Sequence, residues 1–320
     1  MSFGLVLKEL DERASERGGV HVATMTIVVF FEDAAIGELA RDRIHTLAAK
    51  HPSRVILFDG TQGEEMHHVE GNDWIELGAK GSNAELLRGA ANALRLPEAP
   101  VILLWIAPGI GDDERFCELS ADARTVVYNS SLVDAGNAAL RQLVEYVGRH
   151  PELPLADIAY LRLAPWQESV AILFDGEESR ELADLTRIEI GCGSDPEGLY
   201  LLGWLASRLD WKPASDGTLT GPDGRAITFA IRREGEARRV ARIALSSTRS
   251  SFLAEADPRG ETINLSVTGG HTKPPRLRAI NNPGVAALVE RAILSSQYDR
   301  VFAASLAAAG AIVASGTHSP

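Results

Sequence analysis

The feature that most constrains this chain is a strand–helix–strand succession near its start. Residues 24–31, TMTIVVFF, are short, β-branched and aromatic, the composition of a buried strand. Residues 34–51 then place Ile36, Leu39, Ala40, Ile44, Leu47 and Ala48 at helical spacing, and Pro52 stops the run. Arg54–Asp59, RVILFD, is a second strand. Two strands joined through a helix pair in parallel with a right-handed crossover, so a parallel sheet is expected. His67–Gly78 is a polar excursion with Trp74 and Ile75, read as an edge strand. Ser82-Asn83-Ala84-Glu85 reads as a capping box that opens a helix to about Leu96. Pro100–Ala107, PVILLWIA, is apolar throughout, as in a strand covered on both faces. Thr125–Tyr128 is a fourth strand, and residues 134–149 form an amphipathic helix ending at His150-Pro151. Ahead of all this, residues 1–23 open with an amphipathic stretch (Leu5, Leu7, Leu10) broken at Gly18-Gly19.

Pro151 and Pro154 mark a boundary. Asp157–Leu185 reads as mostly helical, and Arg187–Gly191 as a strand. Ser194-Asp195-Pro196-Glu197 reads as a second capping box, ahead of a helix whose core stripe is Leu199, Leu202, Leu205, Ala206 and Leu209. The period then changes to two. Ile227, Phe229 and Ile231, then Ala241, Ile243 and Leu245, then Ile263, Leu265 and Val267 each alternate with polar residues, the pattern of antiparallel strands with one wet face. A helical region covers about 283–314. The expected fold class is α/β. It comprises an N-terminal parallel-sheet, Rossmann-like α/β domain over 1–150 and a C-terminal α+β domain over 151–320, with an antiparallel meander and a C-terminal helix.

Composition narrows the function classes. With 320 residues, 45% apolar and 24% charged, the chain is globular rather than disordered or fibrous. No apolar run reaches the length of a bilayer span, and charged residues from Lys8 to Arg13 interrupt any signal pattern, so a soluble, cytoplasmic protein is expected. A net charge of −12 argues against general nucleic-acid binding. The charge is uneven: residues 225–300 carry +6 and residues 1–224 carry −18.

The motifs of catalysis are missing. Gly109-Ile110-Gly111 follows a strand, but Asp112, Asp113 and Glu114 come next and would repel a pyrophosphate. Gly191-Cys192-Gly193 leads into the second capping box. There is neither a P-loop nor a G-x-S-x-G elbow. His67-His68 is a lone pair whose side chains point to opposite faces of an extended segment, and Cys117 and Cys192 sit in different expected domains as small core residues. No catalytic residue, cofactor or metal site is expected.

Two groups of residues remain as candidates for contact with a partner. Arg232 and Arg242 belong to the wet face of the meander, and the loop that follows the Ile263 strand, 269–282, holds His271, Lys273, Arg276 and Arg278. Several cations with flexible glycines suit an anion or an acidic surface. Tyr160, Arg162 and Trp166 cluster just past the domain boundary, and these residue types dominate protein–protein hot spots.

The order of the pieces carries a resemblance. His51-Pro52-Ser53-Arg54-Val55-Ile56, then residues 100–105 (PVILLW), 127–131 (VYNSS), 157–166 (DIAYLRLAPW) and 202–209 (LGWLASRL) recur in series, with a weaker echo at Asp299-Arg300-Val301-Phe302. This series resembles the glucose-6-phosphate dehydrogenase assembly protein family, OpcA, over about residues 24–212. The chain departs from it where the family has Val-Asp-Ser against Tyr128-Asn129-Ser130. It departs again where the family has Trp-Thr-Arg-Leu-Thr-Pro-Trp-Arg against residues 160–167, an Arg being lost at Gln167. The resemblance implies a divergent member: a non-catalytic protein that assembles or activates glucose-6-phosphate dehydrogenase in the oxidative pentose phosphate pathway. The competing reading is a sensor or enzyme for a phosphorylated small ligand, using the basic loop 269–282. It predicts a concave pocket lined by Arg and Asn. A third reading is a structural protein that only oligomerises.

Overall fold

The computed structural model describes Val6, Lys8 and residues 23–71, 73–111, 113–132, 137–151, 154–234, 239–270, 272–281, 283–294 and 298–315. The amphipathic opening, apart from Val6 and Lys8, lies outside the described residues, as do Asp112 and His271. The fold is α/β, with one mostly parallel sheet and one mostly antiparallel sheet. Contacts divide the chain into two units: 1–133, 145–158 and 284–298 form the first, and 134–144, 159–283 and 299–320 the second.

In the first unit the elements run β1 (Met25–Phe31), α1 (Ala34–Lys50), β2 (Ser53–Asp59), β3 (His67–Glu70), β4 (Trp74–Gly78), α2 (Ala84–Leu94), β5 (Val101–Ile106), α3 (Glu114–Ser120) and β6 (Thr125–Tyr128). Helix α4 (Asn137–Arg149), whose residues up to 144 fall in the second unit, and β7 (Leu155–Asp157) follow. The strand order is β3-β4-β2-β1-β5-β6-β7, parallel except for the β3–β4 hairpin. The order reverses direction between β1 and β5, which is the topological switch point where open α/β sheets bind ligands. β7 draws the first sheet past residue 150, because Val126–Tyr128 pair with Leu155–Asp157. The polar excursion forms two strands, since Trp74–Gly78 pair with β2 and are buried along their whole length. Phe30 of β1 and Trp105 of β5 stack at 4.5 Å, both buried. Each such aromatic contributes roughly 1.5–3 kcal/mol through burial. The capping box at 82–85 is displaced by one residue: Asn83 is the cap, accepting from the Leu86 N–H at 2.8 Å, while Ser82 bonds Glu64.

Beyond β7 the second unit continues with α5 (Ile158–Leu161), α6 (Ala164–Leu173) and a 3₁₀ segment (Glu177–Asp184). Strand β8 (Leu185–Cys192) leads to α7 (Asp195–Leu209), short strands β9 (Lys212–Pro213) and β10 (Leu219–Thr220), and the longer β11 (Ala226–Arg233), β12 (Val240–Ser247), β13 (Ser250–Ala256), β14 (Thr262–Gly269) and β15 (Lys273–Ala279). The order is β15-β14-β13-β12-β8-β11-β10-β9. The antiparallel meander is therefore β12–β15. The Ile227 strand, expected to belong to it, is split off by β8 and runs parallel to β8. Residues 273–279, expected to be loop, form β15, paired with β14. Its Pro274-Pro275 step suits an edge, where a missing N–H costs no ladder bond.

Ile188, Ile190, Ile243, Leu245, Phe252, Ala254, Ile263 and Leu265 form the inner face of this sheet, all buried, and α6 and α7 pack on it. The helical region expected over 283–314 is two helices, α8 (Val285–Leu294) in the first unit and α9 (Arg300–Ala314) in the second. α9 packs closely on α7, where a Cβ on Gly203 would stand 2.4 Å from the Ser305 carbonyl oxygen. Only glycine permits that approach.

Candidate functional site

Two places concentrate polar side chains, one in each unit. The first is the crevice above β1 and β5. The βα turn there is only Glu32-Asp33 and contains no glycine. Asp33 caps α1 by accepting the Ile36 N–H at 2.9 Å, and the Gly37 N–H bonds the Asp33 carbonyl. The ring of Phe31 lies against Gly37, where a Cβ would fall 2.2 Å from it. Across the crevice Arg115 grips Asp113 through two nitrogens at 3.0 and 2.6 Å and Glu32 at 2.6 Å, with its guanidinium 4.9 Å from the centre of the Phe30 ring. The bond to Asp113 raises the Arg115 pKa above its ordinary value. Burial pushes the Asp113 carboxyl up, but Arg115 outweighs it and holds the group below the usual range. At the end of β2, Asp59 is buried and fully engaged. It accepts from Arg41 at 2.7 Å and from both the N–H and the hydroxyl of Thr61. Arg41 also bonds Glu76 at 3.0 Å, and Glu76 takes the indole N–H of Trp74.

A dinucleotide site in such a sheet needs a glycine-rich turn, open N–H groups at the helix start and an acid at the end of β2 free to hold ribose. The residues present do not fit these requirements. Sequence reasoning tested glycine motifs at 109–111 and 191–193, whereas the decisive turn is Glu32-Asp33. Its position as the first strand-to-helix turn is the signal that identifies it.

The second place is a cleft of about 590 Å³ at one end of the second sheet, lined by the start of α6, the first turn of α7, the start of β12, the turn after β13 and residues 280 and 283. Arg162 and Glu197 meet inside it at 3.1 Å, with Glu197 almost wholly buried. Ser194 is the N-cap of α7 but its side chain makes no cap bond, and Glu197 pairs with Arg162. Trp166 lines the same cleft and is buried. Tyr160 lies outside it, packed against Tyr200 and Phe302 at 5.7 and 5.0 Å.

The basic side chains do not form one patch. Arg232 and Arg242 share a face, flanking Gly191 of β8, and both approach Glu189, at 4.0 and 3.1 Å. The bond from Arg187, reinforced by these two charges, lowers the Glu189 pKa. Arg276 and Arg278 stand opposite Leu265 and Ile263, so they belong to the other face of the sheet. Arg278 bonds the Pro165 carbonyl at 2.7 Å, the Ser169 hydroxyl at 3.1 Å and Glu168. Lys273 pairs with buried Glu178 at 2.6 Å. Of the three cations on β15, Arg276 alone is left exposed on the surface with no ion pair among the described residues. Among the described residues no cluster of three potential metal ligands occurs, and no helix is long and apolar enough to cross a membrane.

Residues 153–306 match the family described as the C-terminal domain of the glucose-6-phosphate dehydrogenase subunit. In Synechocystis, a protein named "Putative OxPP cycle protein OpcA" is 34% identical over 146 residues, which cover 45% of this chain and 30% of that protein. Its namesake in Nostoc punctiforme is 33% identical over 146 residues, 45% of this chain and 31% of that one. The matched stretch thus spans just under a third of the length of these relatives. Among solved structures, KijD10, a 3-ketoreductase from Actinomadura kijaniata in complex with NADP and TDP-benzene, superposes with a TM-score of 0.56. It is 12% identical over 91% of this chain and 96% of its own, a likeness of fold alone.

Proposed function

We propose that this chain, which across residues 153–306 belongs to the family of C-terminal domains of the glucose-6-phosphate dehydrogenase subunit, is a non-catalytic assembly factor for that dehydrogenase. It would act in the oxidative pentose phosphate pathway, in the cytoplasm beside its enzyme. The family match carries the reading, and the OpcA relatives support it. The crevice above β1 and β5 adds a second line of support. The fold is that of an NADP-bound reductase, but Asp33, Glu32 and the engaged Asp59 leave no place for a pyrophosphate or a ribose. An activator must bind one state of its enzyme better than another, since equal affinity shifts nothing.

Arg276, exposed and outside any ion pair among the described residues, is the cation through which an acidic partner surface would be met, while Arg232 is exposed on the opposite face of the sheet beside Glu189. Tyr160, Arg162 and Trp166 act from within, by holding the second unit in shape. Co-purification of tagged chain with the dehydrogenase of the same organism tests the proposal. A complex that survives gel filtration is the expected result. Separate elution of the two proteins at micromolar concentration would overturn it.

A further inference from the structure

We propose that the cleft of the second unit binds a small phosphorylated metabolite of sugar-phosphate size. Its volume of about 590 Å³ lies within the range of small-molecule sites, roughly 300–1,000 Å³. Leu163, Trp166, Val240 and Ile280 give it apolar walls, against which the C–H face of a sugar ring packs.

Charge decides what else enters. Three carboxylates line the cleft, and each has partners of its own. Glu197 pairs with Arg162 at 3.1 Å, and Glu234 with Arg242 at 3.3 Å. Asp257 accepts the N–H groups of Glu261 and Thr262 at 2.7 and 3.0 Å, and the nearby charge of Arg259 adds to its stabilisation. Two lining cations, Arg239 and Arg259, are exposed and form no salt bridge among the described residues. The cleft therefore presents two exposed guanidiniums outside any salt bridge among the described residues, in a chain whose net charge is −12. A guanidinium donates two parallel N–H bonds to a phosphate, and the low dielectric of an apolar wall strengthens them. Apolar walls with two exposed guanidiniums sort a ligand by its parts, the body inward and the phosphate toward Arg239 and Arg259. The cations of residues 269–282 do not line this site, and Lys273 and Arg278 are spent on Glu178, Pro165, Ser169 and Glu168.

Calorimetric titration of the full chain with glucose 6-phosphate, inorganic phosphate and glucose tests the site. Saturable binding of glucose 6-phosphate, weaker binding of phosphate and none of glucose are expected. The double substitution Arg239→Ala/Arg259→Ala should weaken glucose 6-phosphate at least about tenfold with melting temperature unchanged, since both side chains are exposed. Arg239→Lys/Arg259→Lys should recover part of the loss. Absence of binding by both phosphate compounds up to about 10 mM would overturn the proposal, as would equal affinity in the double-alanine variant.

Discussion

Arg41 reaches the carboxylate of Asp59 at 2.7 Å, at the end of β2 where dinucleotide-binding folds hold a ribose. The same guanidinium bonds Glu76 at 3.0 Å and lies 5.1 Å from the centre of the Phe31 ring. An acid that a cofactor would need is thereby turned into a structural tie between α1, β2 and β4.

Removing that tie exposes its cost. Arg41→Met leaves Asp59 and Glu76, both buried, without their counter-charge. Breaking a buried pair from one side costs about 3–5 kcal/mol, and the partial exposure of Arg41 places the expected loss at the lower end. Urea denaturation of the variant measures it. A change below about 0.5 kcal/mol, the size of an exposed pair, would show that the tie is solvated.

The crevice makes a second prediction. Titration of NADP or NADPH into the purified chain should give no saturable fluorescence change, and the chain alone should not reduce either nicotinamide cofactor with glucose 6-phosphate. The reason is local: the N–H of Ile36 is capped by Asp33, and Glu32 faces the same end of α1. Micromolar binding would contradict the reading of this turn.

The two cysteines should behave differently. Burial pushes the Cys192 thiol up to about 12, so it stays protonated and shielded at neutral pH, whereas Cys117 is exposed. An Ellman titration of native protein should count one fast thiol, and in denaturant two. Between the ordinary thiol range and pH 12 the folded state holds the Cys192 proton and the unfolded state loses it, so stability falls as pH rises through that window. Two fast thiols in the native protein would refute the burial of Cys192.

Acid gives the opposite sign. The folded-state pKa of Asp113 is depressed, as is that of Glu189. Each contributes stability that is present above the unfolded value and is lost as pH falls through the folded one. Stability should hold down to about pH 5 and decline below it. Asp113→Asn should make the decline shallower. An identical pH profile in that variant would remove Arg115–Asp113 from the account.

Two neighbours on β15 should separate in their effects. Arg276→Glu should slow association with the dehydrogenase and change its salt dependence while leaving melting unchanged, as a rim charge does. Arg278→Glu should lower the melting temperature, because Arg278 holds α6 through Pro165, Ser169 and Glu168. Matching effects from both would mean that the bonds of Arg278 to Pro165, Ser169 and Glu168 do not hold α6.

The strands of the first unit were legible because each is a short apolar run between turn signals, as at 25–31, 53–59 and 101–106. The β3–β4 pair was harder, since Glu76 in a buried strand breaks the apolar pattern and only its bonds to Arg41 and Trp74 make it tolerable. In the second unit the alternation identified faces but not neighbours. Nothing local in Ile227–Ile231 says that β8, some 40 residues earlier, will lie between it and β12. Pro274-Pro275 and three cations give residues 273–279 the pattern of a loop and mask their pairing with β14. The cleft was only half visible. Arg162 and Trp166 stood out by residue type, but Glu197, Arg239 and Arg259 join them through tertiary packing that no spacing in the chain encodes.

We propose that this chain assists a dehydrogenase without being one. Titrating purified chain into the glucose-6-phosphate dehydrogenase of the same organism, with NADPH formation followed alongside the mass of the complex, tests it most directly. The account predicts that the rate rises to a plateau as the mass shifts to a fixed stoichiometric complex, with no turnover by the chain alone. A dehydrogenase whose rate and mass stay unchanged at saturating chain, or turnover by the chain without the enzyme, would contradict it.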